Sequence, residues 1–151
     1  MMLSKQIQKL FAEMMGLIYE RELRIMRQFG LSLLEYYVLQ VLSFARNSSL
    51  KEIGQRLALP KSTVTFVADA LERKVLVQRQ QDRQDRRVWH ICLTEAGRSL
   101  IEEIFASKAL FLLPTFDGLS NAEAQALLKV LEGITEQLRE THQKTERSDK
   151  G

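Results

Sequence analysis

A single cysteine, Cys92, in 151 residues leaves no partner for an intrachain disulfide and no paired-cysteine metal motif. The chain has only two histidines, His90 and His142, and no glycine-rich phosphate loop. No catalytic constellation can be assembled from that inventory, so an enzyme is the weakest reading and neither cofactor nor metal is expected. No run approaches the ~18 apolar residues of a membrane span. Lys5, Lys9 and Glu13 also interrupt the apolar residues near the start, where a secretion signal needs a continuous stretch. The expectation is a folded cytoplasmic protein, mature from Met1 onward, with its lone thiol reduced and no membrane association.

What is present is apolar content sufficient for a core, 45% of residues, and an uneven charge. The net charge is +3, but residues 51–90 hold nine Lys or Arg against five Asp or Glu, so that segment is +4 and the remainder −1. A local positive field of this kind raises encounter rates with polyanions and supplies the phosphate-neutralising part of nucleic-acid affinity.

The hydrophobic spacing divides the chain into helices around a short hairpin. Residues 4–28 carry Ile7, Leu10, Phe11, Met14, Ile18, Leu23 and Ile25 at near-helical period, and Phe29-Gly30 ends that helix. Ser32 and Glu35 form a capping box, with Leu31 and Tyr36 as its staple, for a second helix running to about Phe44. Asn47-Ser48-Ser49 breaks the pattern, and Ser49 with Glu52 caps a short third helix through Ile53 and Leu57. Ala58-Leu59-Pro60 turns the chain, with Pro60 suited to the first position of a fourth helix that buries Val64, Val67, Ala68 and Leu71 and ends near Lys74. Two helices joined by so short a turn are a helix-turn-helix candidate. Thr94 caps a fifth helix through Leu100, Ile101, Ile104 and Phe105, which Pro114 kinks or ends. Asp117-Gly118 turns the chain, and Ser120 with Glu123 caps a sixth helix whose Leu127, Leu131, Ile134 and Leu138 follow the spacing of a packed seam. From about Arg139 the polar tail is expected to fray.

Between the fourth and fifth helices lies Asp82-Arg83-Gln84-Asp85-Arg86-Arg87, three arginines and two aspartates in a turn. Leu76 and Val77 lead into it. Beyond it Trp89, Ile91 and Leu93 alternate with Val88, His90 and Cys92, the period of a strand with one apolar face. His90 and Cys92 share a strand face, but two ligands make a weak metal site, and they are read as ordinary strand residues. A charged hairpin beside a helix that opens with Lys61, Ser62, Thr63 and Thr65 points to duplex DNA.

Asp85-Arg86-Arg87, followed by Leu93-Thr94-Glu95-Ala96-Gly97, resembles the wing signature of the MarR family of winged-helix transcription regulators, and residues 57–76 resemble that family's turn, recognition helix and lead into the wing. The order of elements agrees over about residues 5–140. The resemblance implies a mainly α protein with a small β-hairpin, a winged helix-turn-helix domain flanked by dimerisation helices. Its parts would be an N-terminal dimerisation helix at 1–30, the DNA-binding region at 31–94, C-terminal dimerisation helices at 95–140 and a flexible tail at 141–151. It further implies a homodimer on a pseudo-palindromic operator, acting as a regulator, by the family's habit a repressor, with recognition helices in successive major grooves. Two residues depart from the family's pattern. Phe66 stands where an arginine is common, so a contact is absent or replaced by an apolar one to a thymine methyl. Val75 stands where glycine usually ends the recognition helix, so the exit is rearranged or strained.

Lys61, Ser62, Thr63, Thr65, Phe66, Arg73, Arg83, Arg86 and Arg87 are therefore the candidate DNA-binding residues. Arg83 or Arg86 is placed to enter a minor groove, whose narrowness concentrates negative potential. Arg87 either contacts DNA or pairs with Asp69 or Asp85, and Asp82 and Asp85 are expected to brace arginines. Met14, Met15, Tyr36, Tyr37 and Phe105 are candidates for a small-molecule effector pocket, although such stripes are usually core. Some members of the family sense oxidants through a cysteine in the dimerising helices, and none stands there. The rival from another class is a winged-helix protein-interaction module, whose basic patch would meet an acidic protein surface and show no preference among DNA sequences.

Overall fold

The structure is a computed structural model describing residues 2–45 and 47–148, with side chains described as far as residue 141. The elements run α1 (Met2–Gln28), α2 (Leu33–Phe44), β1 (Ser48–Ser49), α3 (Leu50–Leu57), α4 (Lys61–Arg73), β2 (Val77–Gln81), β3 (Trp89–Leu93), α5 (Glu95–Leu112), a 3-10 turn at Leu113–Thr115 and α6 (Asn121–Ser148). They divide into two compact units, Met1–Ala109 and Leu110–Gly151.

Local chemistry sets most of these boundaries. The capping boxes at Ser32/Glu35 and Ser49/Glu52 are fully formed, each serine hydroxyl accepting from the amide three residues on while that glutamate accepts from the serine amide. Thr94 caps α5 by accepting from the Gly97 amide at 3.0 Å. Helix α1 stops in a Schellman motif: Leu31 N–H donates to the Met26 carbonyl and Gly30 N–H to that of Arg27, with Gly30 at φ 66°. Pro60 sits one residue earlier than the sequence suggests, at the N-cap of α4 rather than inside it, and its carbonyl accepts from Val64.

The first unit packs α2, α3, α4 and α5 around one core that includes Tyr36, Leu39, Ile53, Val64, Leu71, Ile91 and Ile104, all essentially without solvent contact. The hairpin belongs to a three-stranded antiparallel sheet in the order β1-β3-β2, with Val77 opposite Leu93, Arg79 opposite Ile91 and Ser49 opposite His90. The strand β3 does not have the single apolar face its alternation suggests. Trp89 is 47% exposed at the outer end, whereas Cys92 is buried beside Ile91 and Leu93. The reason is that α2 and α3 pack against the base of β3 and leave its outer end uncovered.

In the second unit, the Ser120/Glu123 box opens α6, which then runs to Ser148. That corrects the fraying expected from Arg139: the Glu, Gln, Arg and Lys residues that make this stretch polar are good helix formers. Of the expected flexible tail, residues 149–151 and the side chain of His142 lie outside the described residues.

Candidate nucleic-acid interface

The helix-turn-helix depends on two close approaches. A β-carbon at Gly54 would lie 2.9 Å from the Leu59 carbonyl oxygen, so the turn can fold against α3 only because that residue is glycine. Ala58 enters the left-handed region at φ 51° to reverse the chain into α4. Helix α4 then buries Val64, Val67, Ala68 and Leu71, and leaves Ser62, Phe66, Asp69 and Arg73 as a stripe along its opposite side.

The wing is tied to that helix by Arg79. Its guanidinium reaches from β2 to Glu72 at 2.7 Å and forms a still closer pair with Asp69. The clamp pairs both acids of the helix with one cation, which halves the negative charge they would otherwise turn toward a polyanion, and it ties the wing to the helix. Arg79 was not among the candidate site residues. The signal available was the Asp69/Glu72 pair, three residues apart on one helical side and in need of a cation.

The wing tip is built on Asp82. One of its carboxylate oxygens accepts from the amides of Gln84 at 2.7 Å and Asp85 at 2.9 Å, while the other lies 3.0 Å from His90 Nε2. The Asp85 and Gln84 amides, with His90 after them, hold this carboxyl below the usual carboxylate range. Asp82 thus braces backbone and a histidine rather than an arginine, which corrects the sequence expectation. Asp85 does brace an arginine: it accepts from the Arg87 amide at 3.0 Å and from Arg87 Nε at 3.2 Å. Arg87 pairs there and not with Asp69, and its side chain stays 91% exposed. Gln81 Nε2 donates to the Arg86 carbonyl at 2.6 Å, so Arg83, Arg86 and Arg87 stand outward on a tip whose backbone is held from inside.

The candidate DNA-binding residues accordingly fall on two exposed features joined by Arg79. Lys61, Ser62, Phe66 and Arg73 are exposed on α4, and Thr63 and Thr65 are half-buried. Thr65 spends its hydroxyl proton on the Lys61 carbonyl at 2.9 Å, which leaves its oxygen available only as an acceptor.

The candidate effector residues are not brought to one place. Tyr36 is fully buried, and its hydroxyl accepts from Lys108 Nζ at 3.0 Å and Gln40 Nε2 at 3.2 Å. Lys108 also pairs closely with Glu22, to which Tyr37 donates at 3.4 Å. Burial alone would lower the Lys108 pKa, but Glu22 and Tyr36 outweigh it and raise it. Phe105 stacks on Phe44 and lines a groove of about 280 Å³ with Leu42, Ser43, Leu93, Arg98 and Ile101. Met14 and Met15 are 45% and 54% exposed on α1, Met14 about 12 Å along the helix axis from Glu22. Among the described residues no group of three or more His, Cys, Asp or Glu could hold a metal ion, and no helix is long and apolar enough to cross a membrane.

The geometry has counterparts among known proteins. Residues 23–104 match the family model described as transcriptional regulator SarA/Rot. The chain is 32% identical to the HTH-type transcriptional regulator YkoM of Bacillus subtilis over 123 residues, 82% of this chain and 80% of that one. Its fold matches that of a MarR family protein from Bacillus stearothermophilus with a TM-score of 0.82 at 23% identity, covering 90% of this chain and 95% of that one. BpsR of Bordetella bronchiseptica, solved in a study of how 6-hydroxynicotinic acid regulates its DNA binding, superposes with a TM-score of 0.58 at 27% identity, covering 83% and 98%. These matches are to transcription regulators rather than to enzymes, and the residues that match the family model, 23–104, include α4, Arg79 and the Asp-Arg-Arg tip. The chain belongs to the MarR family of winged helix-turn-helix transcription regulators.

Proposed function

We propose that the protein acts in the cytoplasm as a homodimer that binds a pseudo-palindromic operator sequence-specifically and represses transcription by occluding a promoter. The observation that carries this reading is the Arg79 clamp, which presents the exposed side of α4 and the arginine-tipped wing as one surface while partly offsetting the negative charge between them. Lys61, Ser62, Thr63, Thr65, Phe66 and Arg73 would meet the major groove and its phosphates, and Arg83, Arg86 and Arg87 the adjacent minor groove.

The dimer is supported by unsatisfied apolar seams. Leu3, Ile7, Leu10, Met14 and Leu17 follow the heptad rhythm along α1 and are each 45% exposed or more, and Leu131 and Leu138 are exposed on α6. On this reading residues 1–30 and 95–140 dimerise and 31–94 bind DNA, with half-sites about one helical turn, ~10 bp, apart. Release by a small molecule finds support in the groove at Phe105 and in the effector named for BpsR. Met14, Met15, Tyr36 and Tyr37 would join such a site only if the second protomer closed it.

Selection of bound duplexes from a random library, with anisotropy titrations of winning and scrambled sequences over a range of salt, tests the reading. An enriched palindrome bound by two protomers with steep salt dependence is expected. Failure to enrich any sequence at physiological salt would overturn it in favour of an interaction module.

A further inference from the structure

Phe66 is the one large apolar side chain exposed on α4, at 70%, and nothing in the fold uses it. The core beneath α4 is complete with Val64, Val67, Ala68 and Leu71. Two of its neighbours are already engaged within the fold. Asp69, the next residue on the stripe, is taken by Arg79, and the Thr65 proton is taken by the Lys61 carbonyl. Phosphate-binding charge is supplied on either side by Lys61 and Arg73, so this position is free of that duty. An aromatic ring at the centre of such a surface cannot donate to or accept from N7, O6, O4 or an exocyclic amine, and would leave any of them unpaired and desolvated. The major-groove edge offers one apolar group, the C5 methyl of thymine.

We propose that Phe66 is a specificity-determining residue that packs on a thymine C5 methyl in each half-site, so that the protein distinguishes thymine from uracil and cytosine at that position. This inference rests on the DNA-binding reading above.

The test uses a duplex chosen by selection from a random library. Each symmetric pair of dT residues is replaced in turn by dU, which removes the methyl and nothing else, and binding is measured for the full-length wild type, Phe66→Ala and Phe66→Leu. Because Phe66 is exposed, both variants are expected to melt with the wild type. At one pair of positions the wild type should lose about fourfold in affinity per methyl removed. Phe66→Ala should lose nothing further there, and Phe66→Leu should keep part of the discrimination. The salt slope of Phe66→Ala should equal that of the wild type, since no charge has been removed. A dU penalty of the same size in Phe66→Ala, or no dU-sensitive position in a wild type that still selects its sequence, overturns the role of Phe66 alone. A wild type that selects no sequence overturns the DNA-binding reading and this inference with it.

Discussion

Replacing Val75 by glycine should make this protein more stable, against the usual direction of a Val→Gly change. Val75 lies at the end of α4 with φ 59°, and the hydrogen bonds around it are those of a Schellman motif: Leu76 N–H donates to the Leu71 carbonyl at 3.0 Å and Val75 N–H to that of Glu72 at 2.9 Å. The same motif ends α1, with Gly30 at φ 66° in the corresponding place. A β-branched residue in the left-handed region costs about 1–3 kcal/mol. Glycine removes that strain but loses about 0.4–1 kcal/mol through the freer unfolded chain. The Val75 side chain is 65% exposed, so removing it forfeits little burial. The midpoints of these ranges give a net gain of about 1.3 kcal/mol, or roughly 3–5 °C in Tm. Gly30→Val is the mirror experiment: a β-carbon there meets nothing within 4 Å, and Gly30→Ala, which adds that atom alone, reports backbone strain without a clash. Denaturant midpoints at one fixed protomer concentration should move up for Val75→Gly and down for Gly30→Val. Because the Val75 carbonyl still accepts from Thr94 Oγ1 at 2.7 Å and the Leu76 carbonyl from the Thr94 amide, DNA affinity should be unchanged. A Val75→Gly midpoint at or below the wild type would refute the claim that strain is stored at this exit.

Arg79→Met should separate binding from folding. The pairs it breaks are partly exposed and worth about 0–1 kcal/mol each, yet the carboxylates of Asp69 and Glu72 would stand uncompensated beside the phosphates, so duplex affinity should fall by about tenfold with little change in the melt. Unchanged affinity in the anisotropy titration would show that the clamp is only decorative. Gly97→Ala should act in the opposite way, because its β-carbon would run into the Leu76 carbonyl oxygen. Backbone has to shift, and a loss of at least about 2 kcal/mol by urea unfolding is expected; a midpoint equal to that of the wild type contradicts the close approach of α5 to the helix exit. Glu35 sets part of the acid limb. Burial would raise its pKa, but the Lys74 ammonium and the Ser32 amide outweigh that and lower it. Its contribution is therefore complete above the unfolded-state value near ~4.3 and is lost as pH falls through the lower native value. Unfolding midpoints between pH 3 and 7 should decline less steeply at the acid end for Glu35→Gln than for the wild type, and parallel curves would remove Glu35 from the account.

What the sequence made legible is what short-range chemistry decides. A capping box is a contact between residues three apart, and the Ser32, Ser49 and Ser120 boxes all form because nothing distant competes with them. The glycine-less exit at Val75 could be read as strained for the same reason: the position is fixed by the helix that precedes it. Strand β1 was invisible, since two residues show no period and Ser48 and Ser49 become a strand only by lying opposite Ile91 and His90. The partners of the wing charges divide along the same line. Asp85 with Arg87 spans two residues and was among the readings the sequence left open, whereas Asp69 with Arg79 spans ten and needs the hairpin folded back on α4 before it exists. The basic segment therefore announces a polyanion partner from composition alone, but which arginines face that partner depends on which ones the fold has already spent. Arg79 is spent inward on Asp69 and Glu72, while Arg83 and Arg86 stand outward and Phe66 lies on the exposed side of α4 between Ser62 and the paired Asp69. On the proposed reading, specificity would then depend on the clamp, because a recognition surface whose acids are paired with an internal cation can place an apolar ring where the family's pattern has an arginine.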